Sequence, residues 1–273
     1  MKMPLITLLI LFLLHSSVPA KNAVSGTISR DTTWAGNILV TGDIVVESGV
    51  VLTIEPGTNI IMTAKSDISE SGKHTDRIEI IVLGTLIANG RYGEGQITFT
   101  SSAVTQQMHD WYGIIFSSKR HQSVLRHCVI EYGYTGISCF GSNPIIESSS
   151  IQYNYYAGIN CEVQAKPLIR NSIILGNTVA GINCELFSAP VIENSIITQN
   201  GSGVVAHDRS RPDLGQVNAA EGGSTGDNHL INNFDFNIYN RSDLPIHSQN
   251  NFWNSSEQAD INQSNYDKAQ NER

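Results

Sequence analysis

Apolar residues in this chain fall in short runs separated by Gly, Asn, Ser and Pro, and from residue 128 onward the runs keep a fixed beat. Cys128-Val129-Ile130, Ser150-Ile151-Gln152, Ser172-Ile173-Ile174 and Ser195-Ile196-Ile197 start 22, 22 and 23 residues apart. Gly136-Ile137-Ser138-Cys139, Gly158-Ile159-Asn160-Cys161, Gly181-Ile182-Asn183-Cys184 and Gly203-Val204-Val205-Ala206 step by 22, 23 and 22. Pro144, Pro167, Pro190 and Pro212 follow at 23, 23 and 22, and Asn154, Asn177 and Asn200 keep the same rhythm. A fixed period of this length is the mark of a repeat architecture. Each unit holds two or three β-favouring stretches too short, and without the 3.6-residue period, for helices. At ~3.3 Å per residue, one unit makes a closed circuit of three short strands. Circuits stacked at ~4.8 Å bury apolar faces that one circuit alone leaves in water. Parallel crossovers favour the right hand. The pattern predicts an all-β, single-domain right-handed parallel β-helix with three sheets and 22–23 residues per rung.

Alternation then assigns the columns. Ile137, Ile159, Ile182 and Val204 point inward, as do Cys139, Cys161, Cys184 and Ala206 two residues on. Ser138, Asn160 and Asn183 point outward. The Cys column reads as small buried thiols, since parallel side chains on adjacent rungs fit the dihedral of a disulfide poorly. Without His at matching spacing it is also a poor zinc site. The Asn column reads as a ladder at a bend, bonding the neighbouring backbone and tolerating positive φ.

Before residue 128 the rhythm changes but the logic holds. Ile38-Leu39-Val40, Ile44-Val45-Val46, Val51 to Ile54, Ile60-Ile61-Met62, Ile78-Glu79-Ile80, Leu83 to Ile87 and Ile97-Thr98-Phe99 read as strands. The polar run from Lys65 to Arg77 reads as a loop leaving one corner. At the start, Lys2, the apolar run Leu5–Leu14 and Val18-Pro19-Ala20 have the layout of a cleaved signal peptide. The expected organisation is a signal peptide at 1–20, an N-terminal cap at 21–35, the β-helix at 36–254 and a polar, disordered tail at 255–273. Trp253 is expected to plug the last rung. The apolar run is shorter than the roughly 20 residues a bilayer demands, so no transmembrane segment is expected after signal removal. The expected location is secreted, periplasmic or at the cell surface.

Composition narrows the partners. A formal net charge of −8 opposes nucleic-acid binding, which relies on clustered Lys and Arg.

Gly42-Asp43-Ile44-Val45-Val46, Leu52-Thr53-Ile54-Glu55-Pro56-Gly57-Thr58, Leu83 to Gly90, Ile97 to Ser101 and Trp111 to Phe116 occur in that order. Near the end come Asn232-Asn233, Ile238-Tyr239-Asn240 and Gln249-Asn250-Asn251-Phe252-Trp253. Together they resemble bacterial secreted right-handed β-helix proteins of the pectin-lyase-like superfamily. The usual Asn-Asn-x-Trp-Gly ending of that group departs here, where Asn254 replaces the Gly. The resemblance implies the fold but does not choose a function, since the group includes lyases, hydrolases and non-enzymatic surface proteins. It also implies that any chemistry sits on an outer sheet face, on Asp or Glu with Arg or Lys and often Ca²⁺.

Several groups are candidates for such a site. Glu162 and Glu185 follow successive ladder cysteines, and His207 follows Ala206 at the equivalent place, with Asp208 beside it. Neighbouring carboxylates at rung spacing repel unless a cation, a proton or His207 relieves them, which suits general acid–base work or a sugar contact. Tyr132, Tyr134, Tyr153, Tyr155 and Tyr156 cluster at bends on two rungs and could stack on sugar rings. Glu147, Arg170 and Glu193 share an offset from Pro and read as a surface ion-pair column. His207-Asp208-Arg209 with Arg211 and Asp213 reads as a polar excursion, and His109-Asp110-Trp111 as packing. No nucleophile triad, phosphate loop or metal-ligand motif is present, so no cofactor is expected and Ca²⁺ is permitted without being indicated by a motif. The expected role is that of an exported, monomeric, non-catalytic scaffold or binding module for a polysaccharide or surface protein. The alternative is a polysaccharide lyase or glycoside hydrolase.

Overall fold

The computed structural model describes residues 22–219 and 222–268, so the expected signal peptide at 1–20 lies outside the described residues. Every strand pairing among the described residues is parallel, and the pairings resolve into three stacks. Sheet I begins in the first half of Asn22–Ile28, which pairs with the first half of the strand Asn37–Val46. It continues through Asn59–Met62, Ile97–Ser101, Cys128–Glu131, Ser150–Gln152, Ile173–Leu175, Ile196–Thr198, His229–Ile231 and Phe252–Trp253. Sheet II begins in the second half of Asn22–Ile28, which pairs with the second half of Asn37–Val46. It continues through Glu79–Val82, Gly113–Phe116, Thr135–Phe140, Ala157–Glu162, Ala180–Cys184, Ser202–Ala206, Ile238–Asn240 and Asn265–Asp267. Sheet III runs Thr32–Trp34, Val51–Ile54, Thr85–Asn89, Val124–Arg126, Ile145–Glu147, Leu168–Arg170 and Val191–Glu193. The chain visits I, II and III in turn and then climbs one rung, which is a parallel β-helix.

The columns stack as expected. Ile137, Ile159, Ile182 and Val204 lie opposite one another and are fully buried. Cys139, Cys161, Cys184 and Ala206 do the same, and all the cysteines are free. One register differs from the expected one. Cys128 aligns with Ser149, Ser172 and Ser195, because Val129 pairs with Ser150 and Ser150 with Ile173. A slip of one residue exchanges the two faces of a strand. The true register buries Ile151, Ile174 and Ile197 and leaves Ile173 and Ile196 outside.

The bends explain the polar ladders. Where the chain turns between sheets, backbone N–H groups lose their ladder partners and must find others. Ser149 Oγ accepts the Cys128 N–H, Ser172 Oγ that of Ser149, and Ser195 Oγ that of Ser172. At the next corner Asn154, Asn177, Asn200 and Asn233 each accept the N–H of the preceding rung. The ladder asparagines do not themselves take positive φ. That conformation falls on the residue before each, at Tyr153, Gly176, Gln199 and Asn232.

Three expectations change at the ends and along the N-terminal half. The expected cap at 21–35 is, over its described residues 22–35, no separate cap, because Asn22–Ile28 pairs with Asn37–Val46 and Thr32–Trp34 with Val51–Ile54. They are a rung, held by the same parallel hydrogen bonds as the rest. Leu83 to Ile87 is not one strand, because the chain turns at Leu83-Gly84 between Glu79–Val82 and Thr85–Asn89. A Cβ on Gly84 would meet the carbonyl oxygens of Glu47 and Val50 at 2.3 Å, so only Gly fits that corner. The tail, expected to be disordered from 255, is folded as far as it is described. It holds a helix Gln258–Gln263, and Asn265–Asp267 pairs with Ile238–Asn240. Polarity misled there because an edge strand needs backbone partners more than apolar side chains. Trp253 packs against the core near this end, as expected.

Candidate outer-face site on sheet II

The outward residues of sheet II form a strip flanked by two loops, and the strip is built from the rung repeat. Tyr112, Tyr134 and Tyr156 each precede a sheet II strand, so their rings stack. The centroids of Tyr112 and Tyr134 are 5.4 Å apart, and those of Tyr134 and Tyr156 are 5.7 Å apart, with planes nearly parallel. The Tyr156 ring packs on outward-facing Ala157 and Ala180, whose small side chains leave room for it. Further along the same face Phe236 stacks on Tyr239 at 5.0 Å, Tyr266 abuts both, and Arg241 lies over the Tyr239 ring. At ~4.8 Å per rung the aromatic row extends about 29 Å, with Val179 and Val205 between its two halves.

Beside the tyrosines runs a column of amides. Ser138, Asn160 and Asn183 face outward, as alternation requires, yet all three are buried. Asn183 Nδ2 lies within hydrogen-bond reach of Asn160 Oδ1 at 2.8 Å, Glu185 Oε1 at 2.8 Å and the Tyr156 phenol at 3.2 Å. The next column holds Phe140, Glu162, Glu185 and His207 in rung register. Glu162 is half-buried. Burial raises its proton affinity and Glu185 adds to the rise, while Lys73 opposes it. Tyr156 is pushed up to about 12 by burial and by Glu185, and Tyr112 to about 12 by burial and by Glu79. Both phenols are therefore neutral hydrogen-bonding groups at ordinary pH.

The loop of residues 65–77 supplies Lys73 and His74. Rather than projecting from a corner, it folds back over sheet II. His74 packs on Tyr112 at 4.8 Å and edge-on to His109, which in turn meets Tyr134 and Tyr155. Arg77 donates to the His109 carbonyl, joining this loop to the one before Trp111. Burial lowers the proton affinity of His109, with Arg77 adding to the effect, so its imidazole is neutral near pH 7. His109 Nε2 is buried without a hydrogen-bond partner among the described residues.

The residues singled out from the sequence divide. Glu162 and Glu185 are neighbours, and His207 continues their column. Among the described residues, no hydrogen bond or ion pair joins the His207 or Asp208 side chain to the carboxylates. Asn183 and Tyr156 hydrogen-bond Glu185 instead, and Lys73 acts electrostatically on Glu162. Tyr134, Tyr155 and Tyr156 join the aromatic cluster. Tyr132 and Tyr153 form a separate stacked pair at the neighbouring bend. Glu147 bridges Arg126 and Arg170 in a surface ion-pair column on sheet III. Asp213 accepts from Gly215, Gln216 and Ser224 and shapes its own loop. The sequence reading missed Tyr112, although its 22-residue steps to Tyr134 and Tyr156 carried the signal. Lys73 and His74 had no such signal. Among the described residues no group of three or more His, Cys, Asp or Glu could hold a metal ion, and no helix is long and apolar enough to cross a membrane.

Comparison with known proteins bears on the fold. A family described as "right handed beta helix region" matches residues 89–252. A search of curated proteins finds no match. Among solved structures, a point mutant of the periplasmic alginate epimerase AlgG superposes with a TM-score of 0.39 at 12% identity, over 80% of this chain and 74% of that one. The unmutated epimerase gives 0.37 at 13% identity, over 80% and 76%. At such distances neither structure lends support to any particular activity of this chain.

Proposed function

The chain belongs to the right-handed β-helix family, and from that premise we propose that it is an exported binding protein that holds a glycan on the outer face of sheet II. The stacked Tyr112, Tyr134 and Tyr156 rings, bordered by the amides and carboxylates of Asn160, Asn183, Glu162 and Glu185, carry this reading. A sugar ring has an apolar face and a polar rim. Aromatic rings match the first, and amide and carboxylate groups the second. Half-exposed Tyr155 and the edge of Tyr134 supply the accessible surface. Export rests on the layout of residues 1–20, which serves equally for periplasmic, surface or released protein. A glycan array probed with the purified mature protein tests the reading. Binding by the parent that is weakened in Tyr155→Ala supports it. No binding to any glycan overturns it.

A second reading is favoured by one observation. Glu162 holds its proton more tightly than an ordinary carboxyl and lies near Lys73 and Glu185, an arrangement a lyase or glycoside hydrolase could use. A product assay on each glycan that binds separates the two. Turnover lost in Glu162→Gln establishes catalysis, and binding without turnover leaves the binding protein.

A further inference from the structure

Beneath the loop of residues 65–77 lie two carboxylates that the candidate site does not use. Asp43 and Glu79 are 3% and 1% exposed. Most of their oxygens are accounted for. Asp43 Oδ1 accepts the Glu79 N–H at 2.8 Å, and Asp43 Oδ2 accepts the Ser71 hydroxyl at 2.7 Å. Glu79 Oε1 accepts the backbone N–H groups of Lys73 and His74 at 2.8 and 3.2 Å. Glu79 Oε2 is buried with no partner among the described residues. It faces Asp43. The two oxygens Glu79 Oε2 and Asp43 Oδ2 stand 2.5 and 2.9 Å from the point where a Cβ on Gly72 would sit. Gly72 has a φ of +73° and no side chain, so the loop closes directly over both carboxylates.

A buried carboxylate oxygen without a donor carries a heavy desolvation cost. A proton removes the cost by neutralising the group, and it puts a donor next to the Asp43 carboxylate beneath Gly72. We propose that Glu79 and Asp43 share one proton, and that this shared proton latches the loop of residues 65–77 onto sheet II. Ionisation releases that proton to solvent and leaves two facing anions under Gly72. Their repulsion then works against every bond that holds the loop down.

The surroundings agree. Burial is the largest effect on both groups and raises the proton affinity of each, and the Asp43 charge raises Glu79 further, while the Ser71 hydroxyl and the Glu79 backbone N–H oppose the rise at Asp43. Asp67, from the loop, pushes Asp43 further up. Lys73, also from the loop, opposes the rise at Glu79. Tyr112, on the next rung, is neutral. Both carboxyls bind protons more tightly folded than unfolded. The latch is therefore complete at acid pH, below the ordinary carboxylate range, and is lost as pH climbs through the raised values. The latch does not depend on what the outer face binds. It acts there nonetheless, because the loop carries Lys73 towards Glu162 and His74 onto Tyr112.

Hydrogen exchange of the Ser71, Lys73 and His74 amides, corrected for intrinsic rates, tests this across pH 4 to 9 in the mature protein. The expected result is at least tenfold loss of protection in the parent as pH rises. In Glu79→Gln, whose amide donates permanently to Asp43, protection stays flat. A flat profile in the parent, or the same profile in both proteins, overturns the latch. So does recovery of protection in the parent at high pH when Ca²⁺ is added, which makes the pair a cation site. Carboxyl ¹³C shifts of the parent give a reading that needs no variant. One neutral carboxyl persisting above the ordinary range supports the shared proton, and two ordinary titrations refute it.

Discussion

Asn154 Nδ2 donates to Asn177 Oδ1 at 3.0 Å, and the same oxygen accepts the Asn154 backbone N–H, also at 3.0 Å. One side chain thus satisfies two buried donors on the rung before it, while its own amide donates to Asn200. Asn177→Ala removes all of this without giving water access to the corner. Leaving buried donors unpaired costs about 1–3 kcal/mol apiece. The variant should be destabilised by roughly 2–4 kcal/mol, read from the denaturation midpoint. A loss no larger than that of a surface substitution would show that the ladder carries little stability.

Cys139, Cys161 and Cys184 pile over one another inside the solenoid with no exposed surface. Burial raises the Cys139 and Cys184 thiols well above their ordinary value, and Cys128 to about 12. None should react with a thiol reagent in native protein at pH 8, and all should react after denaturation. Mass spectrometry after alkylation reads both states. Cys161→Ser buries a hydroxyl in place of a small apolar group and should cost more than Cys161→Ala.

Arg126 and Arg170 both pair with Glu147, at 2.6 and 3.1 Å. Burial alone would raise the proton affinity of Glu147, but the two guanidinium groups outweigh it and hold the carboxyl below its usual range. A depressed carboxyl stabilises the fold above its unfolded pKa, near 4.3, and the contribution fades as pH falls through the folded value. Glu147→Gln should therefore cost about 1 kcal/mol at pH 7, and the gap from the parent should close on acidification below about pH 4. Urea titrations at several pH values would reveal a gap that stays constant, which is the contrary result.

Tyr155 is half exposed beside Tyr134, whereas Tyr156 hydrogen-bonds Asn183 through its hydroxyl. If the outer face of sheet II holds a sugar, Tyr155→Ala removes an accessible ring and should weaken binding about fivefold, in line with ~1 kcal/mol for an aromatic contact. Tyr156→Phe keeps the stack and loses only the hydroxyl's bonds to Asn183 and Glu185, so its effect should be smaller. Calorimetric titration with the best ligand from the array distinguishes them, and equal affinities in all three proteins would move the site elsewhere.

The repeat, read from residues alone, determined the architecture. Ile137, Ile159 and Ile182 had to share a column, as did Cys139, Cys161 and Cys184, because side-chain alternation and a constant circuit length leave no other solution. The same reasoning aligned Glu162 with Glu185 and Glu147 with Arg170. It failed by one residue at Ser150, where small polar residues stand at adjacent positions and either register keeps a Ser at the bend.

Only the tertiary structure decided where Lys73, His74, Asp43 and Glu79 lie. Their loop has no periodicity, so nothing local says which face it covers, and Glu79 reads as a strand residue until the loop closes over it. The positions of these residues depend on hydrogen bonds between parts of the chain far apart in sequence, such as Ser71 to Asp43 and Arg77 to the His109 carbonyl. A repeat propagates from one rung to the next, and an insertion has no neighbour to copy.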